Sequence, residues 1–478
     1  MADGVHDLWR ALQAIPHLTL YLTLGWLGYL LGLGLWIVLQ KREPAATLSW
    51  LISLAALPYL GFLIYYFFGP QRIHRQRVRR VRARAALPPP PAGYVPSSDA
   101  VELAKLGQAV TGLPPTTATR AELLVDGAAK YQALLAAVAQ ACEHVHLEYY
   151  IFKSDRTGTA LRDALIERAR AGVRVRLLLD AVGSNTLSRG FLRPLLDAGG
   201  ELAWFHPMRL RWLWRRPWLN LRSHRKIVVI DGRVAFTGGI NITDEQDERL
   251  RTDAYRDLHL RLEGDIVRTL QLVFVEDWAY ATGAAPLVLT EAPPQAGAVP
   301  AQVLISGPDS SWEAIHRLHV SAIHAARRRV WLVTPYFVPG EAARMALTSA
   351  ALGGLDVRLL VPKLSDSRVV TYAARSYFDE LLAAGVHILE YGPRLLHSKA
   401  LLCDDELAIL GSANFDHRSF RLNFELSVLF RGPVLVEALA QLIECECRDA
   451  LRVQHDRARP LWRARLPEAL ARLVSPLL

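Results

Sequence analysis

The chain has 478 residues, of which 51% are hydrophobic and 21% charged, a composition typical of folded domains with well-filled cores and not of disorder. Its four cysteines include no CxxC pair, which excludes a disulfide framework and a zinc ribbon. The formal net charge is +10, but seven arginines at 72–84 supply seven of these charges and leave +3 for the rest of the chain. The basicity is therefore one local patch and does not indicate nucleic-acid binding.

Two long apolar runs near the N-terminus predict a pair of transmembrane helices. The first covers 18–39 and the second 44–68, and neither contains a charged residue. Each is long enough to cross a bilayer, which takes about 20 apolar residues. The arginines after the second run outweigh Lys41 and Arg42 in the connecting loop, which predicts cytoplasmic termini. The same arginines predict attraction to an anionic membrane.

The remainder of the chain repeats itself at low identity. Residues 145–150 (VHLEYY) are similar to 330–335 (VWLVTP), and 173–180 (VRVRLLLD) are similar to 356–362 (DVRLLVP). A helical segment is predicted between the two members of each half, so strand and helix alternate in both. This repeat predicts an α/β fold built from two lobes that are related by a pseudo-two-fold axis.

The composition of the connecting segments predicts the domain boundaries. Residues 1–70 hold an N-terminal tail and the two spans, and 71–98 form a basic and proline-rich linker. A spacer rich in Ala, Pro and Gly at 283–300 separates the two halves. We therefore expect the first lobe at 99–285 and the second at 300–478.

The clearest repeat is a five-residue pattern that occurs twice with identical internal spacing. A histidine is followed at fixed intervals by a lysine, an aspartate, a glycine and an asparagine. The members are His224, Lys226, Asp231, Gly238 and Asn241 in the first copy and His397, Lys399, Asp404, Gly411 and Asn414 in the second. Two copies at equivalent places are too specific for coincidence, so the pattern marks the predicted catalytic residues.

These residue types suit displacement at phosphorus. Histidine and lysine two apart point to the same face of a strand, so each motif presents a base beside a cation. If the lobes pack by a pseudo-two-fold, both histidines meet at one phosphate, where one attacks and the other protonates the leaving alcohol. Lys226, Lys399, Asn241 and Asn414 would then stabilise charge on the non-bridging oxygens, with the asparagines as phosphate ligands.

Four acidic residues complete the predicted site. A nucleophilic histidine needs a carboxylate to fix its tautomer, and Asp257 and Glu425 are the candidates because each begins an apolar run downstream of its motif. An ordinary surface position is the alternative for both. Asp231 and Asp404 belong to the predicted catalytic set, although their place after the apolar strand favours holding a turn over touching substrate. No metal or cofactor is predicted, because the lysines would repel a cation.

The duplicated motif resembles that of the phospholipase D superfamily, and the whole chain resembles the bacterial cardiolipin synthases. The segments that carry the resemblance are the apolar hairpin, RSHRKIVVIDG before GGINITDE, and HSKALLCDD before GSANFDHRSFRLNFE. The resemblance implies a doubled α/β fold and a phosphohistidine intermediate without a metal. It also implies His224 as nucleophile and His397 as general acid and then base, whereas spacing alone leaves the reverse assignment open.

The resemblance further implies transfer of a phosphatidyl group from one phosphatidylglycerol to another, with release of glycerol. It implies multi-pass anchoring in the bacterial inner membrane, with the catalytic lobes in the cytoplasm. A site at the headgroup layer meets lipid alcohols at high effective concentration, which favours transfer over hydrolysis. The alternatives are a membrane-bound phospholipase D hydrolase, another phosphatidyltransferase and a non-catalytic membrane scaffold. The hairpin disfavours a nuclease, and two intact motifs disfavour a scaffold.

The C-terminus carries a last apolar pattern. Leu466, Leu470, Leu473, Val474 and Leu477 recur at helical spacing and predict an amphipathic helix. We expect its apolar face to pack into the core.

Overall fold

The structure is a computed structural model and divides into two units, 1–70 with 214–220 and 71–213 with 221–478. The described residues are 16–39, several positions within 47–57, 98–206, 221–284, 287, 295–310 and 312–475. Most of the second predicted span and the whole arginine-rich segment lie outside these residues.

The described part of the first unit is mainly one helix, α1 (Leu18–Val38), which coincides with the first predicted span. Ile37 and Leu54 are buried against each other, and Leu30 and Leu33 pack beside them. Other large apolar side chains around α1 remain exposed. No helix in the described part of the chain is both long enough and apolar enough to cross a membrane.

The second unit contains both lobes. The elements of its first half are α2 (Ser98–Thr111), β1 (Thr116–Ala118), β2 (Arg120–Val125), α3 (Asp126–Ala139), β3 (His144–Tyr149), α4 (Arg156–Arg170), β4 (Arg174–Asp180), α5 (Arg189–Asp197), β5 (Glu201–Phe205), β6 (Ile227–Ile230), β7 (Val234–Gly238), β8 (Leu258–Glu263) and α6 (Ile266–Thr282). Strands β3, β6 and β7 are buried along nearly their whole length. The apolar run of β6 predicts its burial, whereas β3 also buries His144, His146 and Glu148. The side chain of Asp155 caps α4 by accepting the N–H of Gly158 at 3.0 Å.

The second half repeats this order with additions. Its elements are β9 (Val299–Ser306), α7 (Ala314–Ala325), β10 (Arg329–Val333), β11 (Phe337–Val338), α8 (Glu341–Leu352), β12 (Asp356–Pro362), α9 (Arg368–Arg375), α10 (Phe378–Ala383), β13 (His387–Tyr391), β14 (Ala400–Cys403), β15 (Leu407–Gly411), β16 (Phe415–Asp416), α11 (His417–Arg421), β17 (Glu425–Arg431), α12 (Pro433–Arg448), β18 (Ala450–Arg452) and α13 (Leu466–Val474).

Strand order reveals the duplication directly. The first sheet runs β2-β8-β7-β6-β3-β4-β5, and the second contains β9-β17-β15-β14-β10-β12-β13 in the corresponding order, with β1 and β18 added at its edges. One apolar core includes residues of both sheets together with α6 and α12, and two further cores cover the outer faces. The predicted α/β fold with duplicated lobes is therefore present.

The boundary between the lobes differs from the expected one. Residues 99–118 were expected in the first lobe, but β1 pairs antiparallel with β9 and thus extends the second sheet. Leu103 of α2 belongs to the outer core of the second lobe, and Gln302 donates to the carbonyl of Ala104 at 3.2 Å. The physical reason is the free edge of β9, whose backbone groups need partners that the repeat itself does not supply.

The structure also corrects the inclusion of Asp231 and Asp404 in the catalytic set. Both lie at the end of the strand opposite the histidine, in turns with left-handed backbone (φ 52° and 54°). The carboxylate of Asp231 accepts the N–H groups of residues 142–144, each at 2.8 Å. The carboxylate of Asp404 accepts those of residues 327–329 at 2.8 to 3.2 Å. Each aspartate therefore fixes the backbone at the start of a neighbouring strand, β3 for Asp231 and β10 for Asp404.

We expect Asp231→Ala to lower the free energy of unfolding by about 1–3 kcal/mol, because several backbone N–H groups lose their acceptor. The kcat of the folded enzyme should stay unchanged. Denaturant unfolding and steady-state kinetics measure the two effects, with Asp163→Ala, an exposed acid on α4, as the control. A large fall in kcat at normal stability would return Asp231 to the catalytic set.

Candidate active site

His224 stands just before β6 of the first lobe, yet its partners belong to the second. Ser223 forms a parallel bridge with Phe424, and the N–H of His224 donates to the Phe424 carbonyl at 2.9 Å. Its Nδ1 lies 3.0 Å from both Oε2 of Glu425 and the carbonyl oxygen of Ser412. Both neighbours can only accept, so Nδ1 carries the proton and Nε2 keeps the lone pair for a substrate.

The same arrangement recurs at His397 with the lobes exchanged. Leu396 bridges to Arg256, whose carbonyl accepts the N–H of His397 at 2.7 Å. Nδ1 of His397 lies 2.5 Å from Oδ2 of Asp257, and Gln246 donates to the same oxygen at 3.2 Å. The two predicted carboxylates, Asp257 and Glu425, are thus the partners of the histidines. The sequence did not predict that each carboxylate contacts the histidine of the opposite lobe.

Both histidines line a single cavity of about 510 Å³. Tyr150 packs edge-on against His224 with 5.0 Å between ring centroids, and Tyr255 lies 5.5 Å from His397. The predicted phosphate ligands Asn241 and Asn414 line the same cavity. The two rings therefore face one space.

The cavity has a basic side that sequence reasoning missed. Arg222 and Arg418 both line it, and both act electrostatically on Tyr150, opposing the rise in its pKa that burial causes. Arg222 directly precedes the bridge that holds His224, and Arg418 follows Asn414 by four residues. Their proximity to the repeated motifs is the signal that could have found them.

Three acidic side chains, Glu245, Asp366 and Asp416, also line the cavity. Glu245 and Asp366 line it near Tyr255, and they add to the rise in the pKa of Tyr255 that burial causes. The hydroxyl of Tyr336 donates to both oxygens of Asp366 at 2.7 and 2.8 Å, and Lys153 pairs with Glu245 at 2.8 Å. The two tyrosines beside the histidines therefore have different charged neighbours.

The two motif lysines lie behind the histidines and not among the residues that line the cavity. Lys226 is fully buried and donates to the carbonyl of His224 at 2.8 Å, while Lys399 donates to the carbonyl of His397. Burial lowers the pKa of Lys226 to about 7. The lysines were expected to stabilise charge on the non-bridging oxygens, and Arg222 and Arg418 are cationic side chains that line the cavity itself.

Lys399 also approaches the ring of its histidine. Its Nζ is 2.8 Å from Nδ1 of His397 and 3.7 Å from Oδ2 of Asp257. The shorter distance is not a hydrogen bond, because Nδ1 already gives its proton to the carboxylate, so we regard the ion pair with Asp257 as the attractive contact. Within the described ranges, no three His, Cys, Asp or Glu side chains cluster so as to hold a metal ion.

The two asparagines are fixed by equivalent bonds. The N–H of Asn241 donates to Oε1 of Gln246, and the N–H of Asn414 donates to Oγ of Ser419, five residues later in both motifs. Oδ1 of Asn241 accepts from the N–H of Ile151 at 3.2 Å. Oδ1 of Asn414 is buried and has no hydrogen-bond partner among the described residues. Gln246 and Ser419 each follow their asparagine by five residues, and this repeated spacing in the sequence could have predicted that both position the asparagines.

Burial sets the protonation state of the site. It lowers the pKa of His224 to about 4, and burial together with Lys399 lowers that of His397. Burial opposes the ionisation of Asp257 and Glu425, but their charged and hydrogen-bonding neighbours outweigh it and lower both pKa values. At neutral pH the rings are therefore neutral beside charged carboxylates, and a neutral ring is the form that can attack.

Comparison with known proteins matches the chain to two family models. The family model "Cardiolipin synthase, PLD-like domain" matches residues 134–254 and 320–446, and "Phospholipase_D-nuclease N-terminal" matches 29–70. The chain is 40% identical to a cardiolipin synthase of Geobacillus kaustophilus (strain HTA426) over 95% of both chains. It is 41% identical to cardiolipin synthase 2 of Bacillus anthracis over 93% of this chain and 89% of the relative.

The chain belongs to the cardiolipin synthase family. It is an enzyme of the phospholipase D superfamily, so the prediction from the duplicated motif is confirmed. Among solved structures, the fold is similar to that of phosphatidylserine synthase from Haemophilus influenzae Rd KW20, with a TM-score of 0.60 and 13% identity. That similarity covers 79% of this chain and 100% of the other and concerns the fold alone.

A glycine leaves room for the carboxylate that orients His397. A Cβ added to Gly239 would lie 2.1 Å from Oδ1 of Asp257. At the equivalent position of the second lobe stands Ser412, whose hydroxyl donates to Glu425. At matching positions, the first lobe thus leaves space for Asp257, whereas the second lobe gives Glu425 a hydrogen bond.

We expect Gly239→Ala to lower kcat strongly, because the new methyl group displaces Asp257 from His397. Steady-state kinetics on the purified enzyme measures the loss. Gly190→Ala is the matched control, since the nearest atom to its added Cβ is 3.9 Å away, and its kcat should equal that of the wild type. Normal activity in Gly239→Ala would mean that the Asp257 contact does not support turnover.

Proposed function

We propose that this enzyme transfers a phosphatidyl group from one phosphatidylglycerol to a second, producing cardiolipin and glycerol through a phosphohistidine intermediate. The observation that carries the proposal is the pair of histidines that line one cavity, each bonded through Nδ1 to a carboxylate of the other lobe. This arrangement leaves two Nε2 atoms for the two sides of one phosphate. Relatives named cardiolipin synthase over nearly the full chain support the choice of substrate.

The first step is an in-line displacement at the phosphorus of the donor lipid. Nε2 of His224 attacks, a P–N bond forms, and the bond from phosphorus to the glycerol oxygen breaks. His224 suits this role because its pKa of about 4 keeps the ring unprotonated. His397 gives the glycerol oxygen a proton, since the bound phosphate anion raises the pKa of a nearby imidazole.

The second step reverses these roles. His397 takes the proton from the terminal hydroxyl of a second phosphatidylglycerol, and that oxygen attacks the phosphorus while the P–N bond breaks. His224 is thereby regenerated. Glu425 supports the positive charge on His224 while the phosphate is attached, and Arg222 and Arg418 attract the lipid phosphate.

We expect phosphatidylglycerol labelled in its headgroup to yield free glycerol and a four-chain lipid as main products. His224→Ala and His397→Ala should each reduce kcat by at least about 1000-fold, because nucleophile and acid act as a unit. His387→Ala, a half-exposed histidine on β13, should retain full activity as the control. Phosphatidic acid as the main product would identify a hydrolase instead, and substantial turnover in either mutant would end the two-histidine mechanism.

The same assay separates the roles of the two histidines. When turnover is quenched with lipid labelled in the phosphate, the covalent label should be found on the peptide that contains His224. A label on the peptide with His397 would reverse the assignment of nucleophile and acid without changing the products.

We further infer that the N-terminal unit anchors the enzyme as a two-span hairpin in the bacterial inner membrane, with the lobes in the cytoplasm. The uncharged sequence of α1, its exposed apolar side chains and its contact with Leu54 support the inference. The match of 29–70 to an N-terminal family segment supports it too. The hairpin requires both runs, and most of the second lies outside the described residues.

A fluorescent reporter fused after Leu478 should fold and fluoresce, because cytoplasmic termini follow from the arginines after the second run. An alkaline phosphatase inserted between residues 41 and 43 should be active, since this loop would lie outside. Cell fractionation and the two reporter signals provide the readout. The opposite pattern would overturn the topology.

A further inference from the structure

The C-terminal helix α13 exposes its apolar face. The expected packing of this face into the core is wrong for Leu466, Leu470, Leu473 and Val474, which are exposed, whereas Leu477 lies outside the described residues. The buried residues of α13 are Glu468 and Ala471. Trp462, in the π-helical turn before α13 (Leu461–Arg465), is 76% exposed and Leu473 is 77% exposed. The other large exposed apolar side chains of this segment are Leu461, Leu466, Leu470 and Val474.

Polar contacts hold α13 on the second lobe and fix which face turns outward. Glu468 pairs with Arg459, and the hydroxyl of Tyr377 donates to Ser475 at 3.2 Å. The guanidinium of Arg472 lies over the ring of Tyr377 at 4.4 Å. An amphipathic helix normally buries its apolar side. Here the polar side is attached, so the apolar side is available for a partner.

The exposed side of this segment carries positive charge. Residues 457–475 contain five arginines, of which Arg457, Arg459 and Arg472 form ion pairs with acids of the second lobe. Glu468, the acid of this segment, is buried. Arg463 and Arg465 are exposed and form no ion pair with the described residues. Tryptophan and arginine beside leucine are the residues that accumulate where a helix lies on an anionic bilayer.

One helix, α9, connects this segment to the active-site cavity. Helix α13 packs against α9, and Val370 of α9 together with the preceding Ser367 lines the cavity. On the same rim segment, Leu364 is 66% exposed and Val369 is 44% exposed. Exposed apolar side chains therefore occur both on α13 and at the edge of the cavity.

We propose that the outward face of α13, with Leu364 and Val369, docks on an anionic lipid bilayer and presents the cavity opening to the headgroup layer. The inference rests on the proposed function for the identity of the lipid that enters, whereas the docking surface is argued from its own residues. An N-terminal anchor would keep the chain at a membrane without fixing which side of the lobes meets it. Docking by α13 fixes that side.

A bilayer fits this surface better than a second copy of the chain. A symmetric dimer places the same patch against itself. Arg463 and Arg465 of one copy would then face those of the other, and Glu468, the acid of residues 457–475, is buried. Anionic headgroups supply the missing negative charge, and acyl chains cover the leucines.

The test uses the full chain carrying Leu470→Ser and Leu473→Ser, with Leu352→Ser as matched control, since Leu352 on α8 is 73% exposed elsewhere. Two substrates are compared: short-chain phosphatidylglycerol below its micelle concentration, and phosphatidylglycerol in phosphatidylcholine vesicles. We expect the double variant to need about tenfold more vesicle lipid for half-maximal rate, because two leucines lose their contact with acyl chains. Its rate on the monomeric substrate should equal that of the wild type.

Hydrogen exchange of residues 461–474 gives an independent readout. Vesicles with phosphatidylglycerol should slow exchange in the wild type more than vesicles of phosphatidylcholine alone, and Arg463→Ala with Arg465→Ala should remove the difference. The proposal is overturned if the double leucine variant behaves as Leu352→Ser, or if it loses activity on both substrates equally. A dimer in sedimentation that the variant dissolves would assign the surface to a second copy. Absence of cardiolipin with normal exchange protection would refute only the proposed function.

Discussion

Everything in the active site depends on the exchange of carboxylates between the lobes. Glu425 of the second lobe holds His224 of the first, and Asp257 of the first holds His397 of the second. Neither lobe contains a complete pair of its own, so the site exists only when the two sheets share their common core. Backbone bridges between Ser223 and Phe424 and between Arg256 and Leu396 also join the two lobes next to the histidines. Backbone and side-chain contacts therefore both cross between the lobes at the site.

A buried ion network stabilises one side of this junction. Arg256 pairs with Asp126 at 2.7 Å and with Glu446 at 2.8 Å, and Arg394 also pairs with Asp126 at 2.6 Å. The N–H of Asp257 donates to the same Asp126. Charges from both lobes are thus joined around the peptide that carries the carboxylate of His397. Breaking one member would leave another buried and unpaired, which is costly.

The two halves are equivalent in topology but not in electrostatics. Arg222 and Arg418 act on Tyr150, which contacts His224, whereas Glu245 and Asp366 act on Tyr255, which contacts His397. A symmetric pair of histidines can therefore take different roles, because protonation of an imidazole depends on the charges around it. Duplication supplies the two rings, and the divergence of their surroundings supports the assignment of nucleophile and acid.

The sequence alone determined the duplicated α/β fold, because β6 and β14 are apolar runs whose buried state depends on their own residues and near neighbours. It also determined that histidine and asparagine from both halves form the candidate site, since the spacing from His224 to Asn241 is repeated from His397 to Asn414. Only the tertiary structure decided that Glu425 is the carboxylate bonded to His224. It also decided that β1 pairs with the second sheet and that the leucines of α13 are exposed. These features depend on which distant surfaces meet, and local periodicity does not encode the partner of an exposed edge or face.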